Sequence, residues 1–188
     1  DSPEQTVTLS GSWRSDGAGT LRARVSRVFL DTFSKEQPAR YGGVIDGEVT
    51  FTGTRNRPNV SAQFTISDGR IRELPYEKLT ARIDYEGGAM AVDLRLDQAP
   101  GIWLTVAGRA PLHLLSKDAG QPMDLAVKST PIALGLIEGL TDVVDNVTGT
   151  VLLDFNVIGT SRDPHFAGRV DIENAAFPQG QCAEASAL

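Results

Sequence analysis

The chain has 188 residues, 40% of them hydrophobic, and a net charge of −6 with acidic and basic residues interspersed. This length and apolar content suffice for one sizeable folded unit. No basic stripe is present, which disfavours a nucleic-acid partner and simple electrostatic adhesion to an anionic membrane, because both need clustered cations. Apolar residues alternate rather than gather in long runs, so the sequence predicts no membrane span.

The termini and the cysteine content bear on the cellular setting. The N-terminal sequence DSPEQTVTLSG has no signal peptide and enters a strand pattern at once, so we expect a piece of a longer protein whose missing part could carry a signal or an anchor. A single cysteine, Cys182, excludes an intrachain disulfide. That is compatible with the cytoplasm or with a large extracytoplasmic fold that needs no disulfides.

The first seventy residues predict strands. Apolar residues recur at every second position in 7–9, 21–25 and 60–66, and in 45–51 with Gly47 at one of these positions, which is the period of half-buried strands. Residues 28–33 break the alternation and predict a short helix or an irregular crossing. The Gly53–Pro58 segment carries turn chemistry, and Asp68-Gly69 predicts a hairpin.

The rest of the chain continues this pattern. Strands are predicted in 79–85, 90–96, 102–106, 123–127, 151–157 and 166–172, with a longer loop at 110–122. Apolar residues spaced by three and four in 134–147 predict a helix, which Gly135 and Gly139 weaken. Roughly a dozen short strands and one or two short helices, with turns about every 8–12 residues, are typical of all-β proteins.

The stretches 43–71 and 149–177 are similar to each other. Two glycines and a proline of the first stretch recur 106 residues later with no gap, together with a threonine and the apolar phase of both strands. The matched pairs are Gly43 with Gly149, Gly53 with Gly159, Thr54 with Thr160 and Pro58 with Pro164. We interpret this as an internal repeat. It predicts a β-repeat region over 1–177, in two modules of about 1–108 and 109–177 with the second incomplete, and a weakly ordered tail at 178–188.

Residues suited to catalysis or metal binding are scarce. His165 follows Pro164 directly and His113 lies two residues after Pro111, with no cysteine or acidic pair at ligand spacing, and an exposed histidine is the better interpretation for both. No nucleophile motif, phosphate-binding loop or calcium loop occurs. The sequence therefore predicts neither an enzyme nor a metal or cofactor site.

The repeated segment resembles the TamB family, the translocation and assembly module related to the AsmA-like proteins. The shared pattern is a Gly-Thr turn with a following proline between two alternating strands, preceded by an amphipathic crossing. It stands as Gly159, Thr160, Pro164, Gly168, Val170, Ile172 and Phe177, and again as Gly53, Thr54, Pro58, Phe64, Ile66, Gly69 and Ile71. The first copy departs from the pattern at Ala62, where the second has Gly168.

The resemblance implies an all-β, elongated open trough of the β-taco kind, with an apolar concave face. It implies a place in the periplasm, with the rest of the parent chain anchored in the inner membrane. It further implies phospholipid transport between the two membranes and assembly of outer-membrane proteins with a barrel partner, without catalysis or a cofactor.

Strand phase selects candidate lining residues for such a groove, where phospholipid acyl chains would bind. They are Val60, Phe64, Ile66, Leu79, Ile83, Val92, Leu94, Leu104, Val106, Leu125, Val151, Leu153, Phe155, Val170 and Ile172. The same residues could instead be the ordinary core of a closed sandwich or solenoid. A protein-interaction scaffold that uses its sheet edges is the alternative function, and an extracellular adhesin or carbohydrate-active domain is the weakest one.

Overall fold

A computed structural model describes residues 4–15, 17–33, 40–54, 57–111, 122–140, 147–160 and 162–176. Eleven strands, a 3₁₀ turn and one α-helix occur in this part of the chain. The strands are β1 (Thr6–Trp13), β2 (Ala18–Phe29), β3 (Tyr41–Thr54), β4 (Arg57–Ile71), β5 (Leu74–Glu86), β6 (Ala89–Ala99), β7 (Ile102–Pro111), β8 (Pro122–Ser129), β9 (Ile132–Ala133), β10 (Thr148–Thr160) and β11 (Asp163–Ala176). The 3₁₀ turn spans Leu30–Phe33, and helix α1 spans Leu134–Leu140.

The described strands form one antiparallel sheet in which most neighbours in sequence are neighbours in space. Its order is β1-β2-β3-β4-β5-β6-β7-β8-β10-β11, and the short strand β9 pairs with the start of β10. The sheet does not close on itself, and β1 and β11 lie at its two edges. The predicted all-β open trough is confirmed.

The alternation of the sequence gives the sheet one apolar and one polar face. Residues paired directly across an antiparallel ladder share a face, so the registers can be followed across the sheet from strand to strand. The central row contains only apolar residues and glycine in all ten long strands: Val7, Val25, Gly47, Phe64, Ala81, Leu94, Val106, Val127, Phe155 and Gly168. The row beside it has the same character: Leu9, Ala23, Val49, Ala62, Ile83, Val92, Gly108, Leu125, Val157 and Phe166.

The sheet curls over its apolar face. Helix α1 contacts both β10 and β4, which are five strand spacings apart in the sheet order. In a flat sheet that separation would be about 24 Å, whereas a helix of 7 residues is only about 10 Å long. A methyl group added at Gly135 would lie 2.6 Å from Leu74 Cδ1 of β5. The two distant parts of the sheet must therefore approach each other around the helix, which produces the trough.

The best-buried part of the trough lies at one end of the strands, beneath α1. Ile132 and Leu136 are 0% and 1% exposed, and they pack with Ile66, Leu104 and Leu153 from three different strands. At the other end of the strands lie the hairpin turns after β3, β5 and β10. The α-helix and the sheet thus build a closed side and leave the opposite side to the hairpins.

The internal repeat is present in the backbone. Asp68 and Gly69 form a bulge opposite Gly43, and Asn174 and Ala175 form the same bulge opposite Gly149. Both bulges use a left-handed residue, with φ of 48° at Asp68 and 53° at Asn174. The two turns also match, because Arg57 donates its backbone N–H to the Thr54 hydroxyl and Asp163 donates in the same way to Thr160, each at 3.2 Å.

Strands that precede the repeat are related by a slightly different offset. Val28 pairs with Ile45 in the first copy, and Ile132 pairs with Val151 in the second. The paired residues of β3 and β10 are 106 apart, but those of β2 and β9 are 104 apart, so the crossing between them is two residues longer in the second copy. The predicted module boundary at residue 108 falls inside β7, and the predicted tail at 178–188 lies outside the described residues.

Three local predictions need correction, and a fourth is confirmed in part. Asp68-Gly69 is not a hairpin, because β4 continues through this bulge and the chain reverses only at residues 72–73. β4 is therefore longer than predicted, with 15 residues, and most of the other strands are also longer than predicted. The described helix ends at Leu140, and Val147 is buried outside it. The crossing predicted at 28–33 is confirmed from Leu30 onward, whereas its first two residues complete β2.

Candidate functional site

All fifteen residues predicted from strand phase lie on the apolar face. Phe64, Leu94, Val106 and Phe155 belong to the central row, and Ile83, Val92 and Leu125 belong to the row beside it. A third row, nearer to α1, holds Ile66, Leu79, Leu104, Leu153 and Val170. Val60 lies toward the hairpin side, and Val151 pairs with Ile172 near the helix.

Their exposure divides these residues into three groups along the groove. The residues next to α1 are buried: Ile66, Leu104, Val151 and Leu153. Those farther from the helix are half-buried and keep contact with solvent: Val60, Phe64, Leu79, Ile83, Val92, Leu94, Val106, Leu125 and Phe155. Those on the edge strand β11 are exposed, with Val170 at 52% and Ile172 at 55%. The side chains of the protein therefore fill the helix side of the groove. Ala110 and Met123 on the hairpin side are also buried, at 2% and 7%, so the solvent-accessible lining is the half-buried part between these two regions and the edge strand β11.

Sequence reasoning left out several residues of the same face. They are Val49, Phe51, Tyr85, Met90, Leu96, Met123, Val127, Val157 and Phe166. The alternation that selected the fifteen would have found each of these too, since they occupy the same phase of the same strands. Trp13 extends the lining at the other edge, where its ring stacks on Phe51 at a centroid distance of 6.0 Å. Phe155 and Phe166 approach in the same way near β11, at 6.3 Å.

The groove face is electrically neutral over the central row and the rows beside it. The hydroxyl of Ser129 enters the helix-side row, and its oxygen accepts a hydrogen bond from the Leu153 backbone N–H at 2.9 Å. Because this polar group is already bonded to the protein, it offers a ligand little. The lining can exclude water from an apolar molecule but has few groups to orient a polar one.

Charged residues gather on the opposite face, where they pair across neighbouring strands. Arg24 donates to Glu48 at 2.6 Å, and this hydrogen bond holds the pKa of the Glu48 carboxyl below its usual range. Ser61 donates to Asp84 at 2.6 Å, and that bond, with help from Arg82, lowers the pKa of Asp84. A depression of about 640 Å³ lies on this face beside the Arg24–Glu48 pair. Another of its carboxylates, that of Asp46, accepts a hydrogen bond from the Ser26 hydroxyl, so we interpret the depression as a solvated outer surface.

The structure also gives the positions of some residues that were considered for catalysis or metal binding. His165 is exposed on β11 and its Nε2 lies 3.3 Å from a carboxylate oxygen of Asp163, whereas His113 and Cys182 lie outside the described residues. No group of three potential metal ligands occurs in the described ranges. None of the described helices has the length and apolar character needed to cross a membrane.

Comparisons with protein-family models, curated proteins and solved structures find no match. The open apolar groove must therefore be interpreted from its own residues. Its distinguishing property is that the exposed part of the lining is continuous from strand to strand and nearly free of polar groups.

Proposed function

We propose that this chain shields phospholipid acyl chains in its apolar groove, as a segment of a lipid-conducting bridge between the inner and outer membranes. The supporting observation is the central row, which crosses ten strands without a polar side chain and stays half-exposed over much of its length. The membranes, the periplasmic location and an anchored parent chain come from the resemblance to the TamB family.

The energetics suit passage better than tight storage. Burying a methylene group stabilises it by roughly 0.8 kcal/mol, so an acyl chain of about 16 carbons would gain up to about 12 kcal/mol if fully covered and about half that in an open groove. Each strand offers nearly the same apolar surface as its neighbour. A bound chain can therefore move along the groove without crossing a high barrier, because no polar anchor fixes one position.

The lining is continuous along the curled sheet. Nine strand spacings separate β1 from β11, which corresponds to a path of roughly 43 Å measured along the sheet at about 4.8 Å per spacing, and the curl makes the direct distance between the two edges shorter than this path. Each of the ten long strands in the described residues carries the lining pattern, and α1 with its core cluster fills the space above one end of the strands. This arrangement supports conduction along the sheet rather than a single enclosed binding site.

The proposal is tested by placing a charge in the open part of the groove. In Leu94→Asp and Phe155→Asp the new carboxylate faces the acyl chain, and we expect phospholipid that copurifies with the wild type to fall at least fivefold in mass spectrometry. The matched control is Asn156→Asp, which adds the same charge to the polar face one residue away. A fluorescent palmitate analogue measures binding directly in all four proteins.

Circular dichroism and urea unfolding separate loss of binding from loss of fold. Half-buried positions tolerate a charge better than buried ones, so we expect the two groove variants to remain folded. Unchanged lipid content in folded Leu94→Asp and Phe155→Asp would overturn the proposal. So would a wild-type protein that binds neither phospholipid nor the palmitate analogue.

A second candidate function is a scaffold that assists assembly of outer-membrane barrel proteins. The observation that favours it is that no described strand pairs with the outer edges of β1 and β11, since a strand from another protein can extend such an edge. Under this alternative the apolar face would serve only to fold the curved sheet and would not bind lipid. The variants Leu94→Asp and Phe155→Asp would then still bind the partner protein.

A further inference from the structure

The outer edge of β11 differs from its counterpart inside the sheet. Val170 and Ile172 of β11 correspond by the repeat to Phe64 and Ile66 of β4. Ile66 is 8% exposed, but Ile172 is 55% exposed. The local backbone is the same in both copies. Two causes contribute to this difference: Ile66 packs in the core cluster beside α1, and β5 covers the outer edge of β4, whereas no described strand pairs with the outer edge of β11.

We propose that β11 binds an amphipathic partner strand, antiparallel and in the register that β5 adopts on β4. This inference develops the scaffold function and is independent of lipid carriage. The repeat supplies the geometry, because β3 and β4 have the same registers and the same bulge as β10 and β11. A strand that fits β4 therefore has a matching backbone surface on β11.

The apolar pairs that this register predicts are complementary. A residue in the place of Leu79 would lie opposite Ile172, and one in the place of Ile83 would lie opposite Gly168. The place of Tyr85 falls opposite Phe166, whose side chain is 69% exposed. The partner would continue the groove by one strand and cover the apolar surface that β11 now presents to solvent.

Charges on the polar face define the chemistry of the partner more narrowly. The place of Lys78 falls opposite Glu173, which favours a cation there. The place of Arg82 falls opposite Arg169, which pairs with Asp171 of its own strand at 2.6 Å, and two guanidinium groups facing each other there would repel. The best partner therefore resembles β5 but carries an acidic residue at the position of Arg82.

A second copy of this chain is the competing occupant, since it could offer its own edge strand β1. The register of β1 on β2 corresponds to that of β7 on β8, and Gly11 of β1 matches Gly108 of β7. The equivalent of β1 thus lies three strands away from β4 in the sheet order, not beside it. The structure supplies a template for a β5-like strand on β11 and none for β1.

The binding test uses three synthetic peptides with the full chain, without lipid. The first is the sequence of Leu74–Glu86, the second carries Arg82→Glu, and the third has its apolar and polar positions exchanged. In fluorescence anisotropy we expect the Arg82→Glu peptide to bind about three- to tenfold tighter than the first, and the exchanged peptide not to bind. In the chain variant Arg169→Glu the affinity order should reverse, so that the unchanged peptide binds more tightly than the Arg82→Glu peptide.

The register test uses disulfide formation in a Cys182→Ser background. A peptide with Leu79→Cys should crosslink to Ile172→Cys but not to Asp171→Cys, whose side chain lies on the opposite face. Absence of peptide binding, equal crosslinking at both positions, or unchanged peptide order in Arg169→Glu would overturn the inference. A disulfide between the Ile172→Cys residues of two copies in the absence of peptide would show that β11 pairs with β11 of a second copy, which would also overturn the inference. None of these outcomes bears on lipid binding.

Discussion

The one glycine of β4, Gly69, makes room for a buried aromatic ring. Gly69 faces the ring of Tyr76 so closely that an added methyl group would overlap its carbon atoms. Tyr76 is buried, and burial raises the pKa of its hydroxyl. The ring lies over the bulge because the glycine has no side chain, and this contact joins β4 to β5 beside the core.

Gly69→Ala should therefore destabilise the protein by about 1–3 kcal/mol, because the methyl group overpacks a buried ring. Urea unfolding measures this change. The matched control is Gly42→Ala, where the added methyl group would meet only the flexible end of Arg70, at 3.1 Å. Equal stability of the two variants would show that Tyr76 can move away at little cost.

The ion pair between Arg24 and Glu48 makes a second prediction at this scale. The hydrogen bond from Arg24 is the main cause of the lowered Glu48 pKa, so Arg24→Gln should raise that pKa toward its ordinary value. A lowered pKa in the folded state contributes stability that is present above the unfolded pKa and lost as pH falls through the folded pKa. Carboxyl NMR titration checks the shift, with Asp84, which bonds to Ser61 instead, as the internal control. An unmoved Glu48 would mean that Arg22 replaces the lost partner.

Residue-scale features were the hardest to predict from the sequence. Asp68-Gly69 has hairpin composition, but the same left-handed preference also suits a bulge inside a long strand. A hairpin turn and a bulge differ in whether the strand keeps its hydrogen bonds to the neighbouring strand beyond these two residues. That depends on the neighbouring strand and not on the two residues themselves. The repeat held the deciding information, since Asn174-Ala175 occupies the equivalent bulge without being a hairpin sequence.

Helix α1 determines how far the trough is closed. It buries Leu136 almost completely against β10 and β4, and the cluster around it includes Ile132, Val151 and Leu153. A helix this short has little stability by itself. Its packing on two distant strands holds the curled sheet together at one side.

Leu136→Ala should cost about 2–5 kcal/mol, because a buried leucine leaves a cavity when it is truncated. Leu125→Ala is the matched control, since Leu125 lies in the half-exposed part of the groove and its loss should cost less. Urea unfolding compares the two variants. If Leu125→Ala were the more destabilising, the groove rather than the helix side would be the main core.

Secondary-structure elements were predicted well where the regular spacing of apolar residues identifies them. The alternation of apolar residues gave the strand phase correctly, so that all fifteen lining residues fall on one face. The alternation could not tell which residues of this face are buried beside the helix and which stay partly exposed, because Leu104 and Leu94 occupy the same phase. That difference depends on where α1 packs, which is a contact between elements far apart in the sheet.

At the scale of the whole sheet, each described strand contacts mainly the strands beside it in the sheet order. Its curvature could not be read from the sequence, since a flat sheet, a closed sandwich and a trough share the same alternation. The resemblance to the TamB family predicted the trough, and the contact of α1 with β4 and β10 shows the curl physically. The lipid and membrane roles stay predictions at this scale.

Position in the stack should govern local stability more strongly than sequence does. Strands β4 and β11 have equivalent backbones, but β4 has neighbours on both sides and β11 on one. We therefore expect amide hydrogen exchange to be at least tenfold slower at Phe64 than at Val170, because an edge strand opens without separating two ladders. The pair Val49 and Phe155 is the control, since β3 and β10 both have two neighbours and should be protected alike. Similar exchange at Phe64 and Val170 would mean that the sheet opens only as a single cooperative unit. Binding of the Arg82→Glu peptide should slow exchange at Val170 and leave Phe64 unchanged.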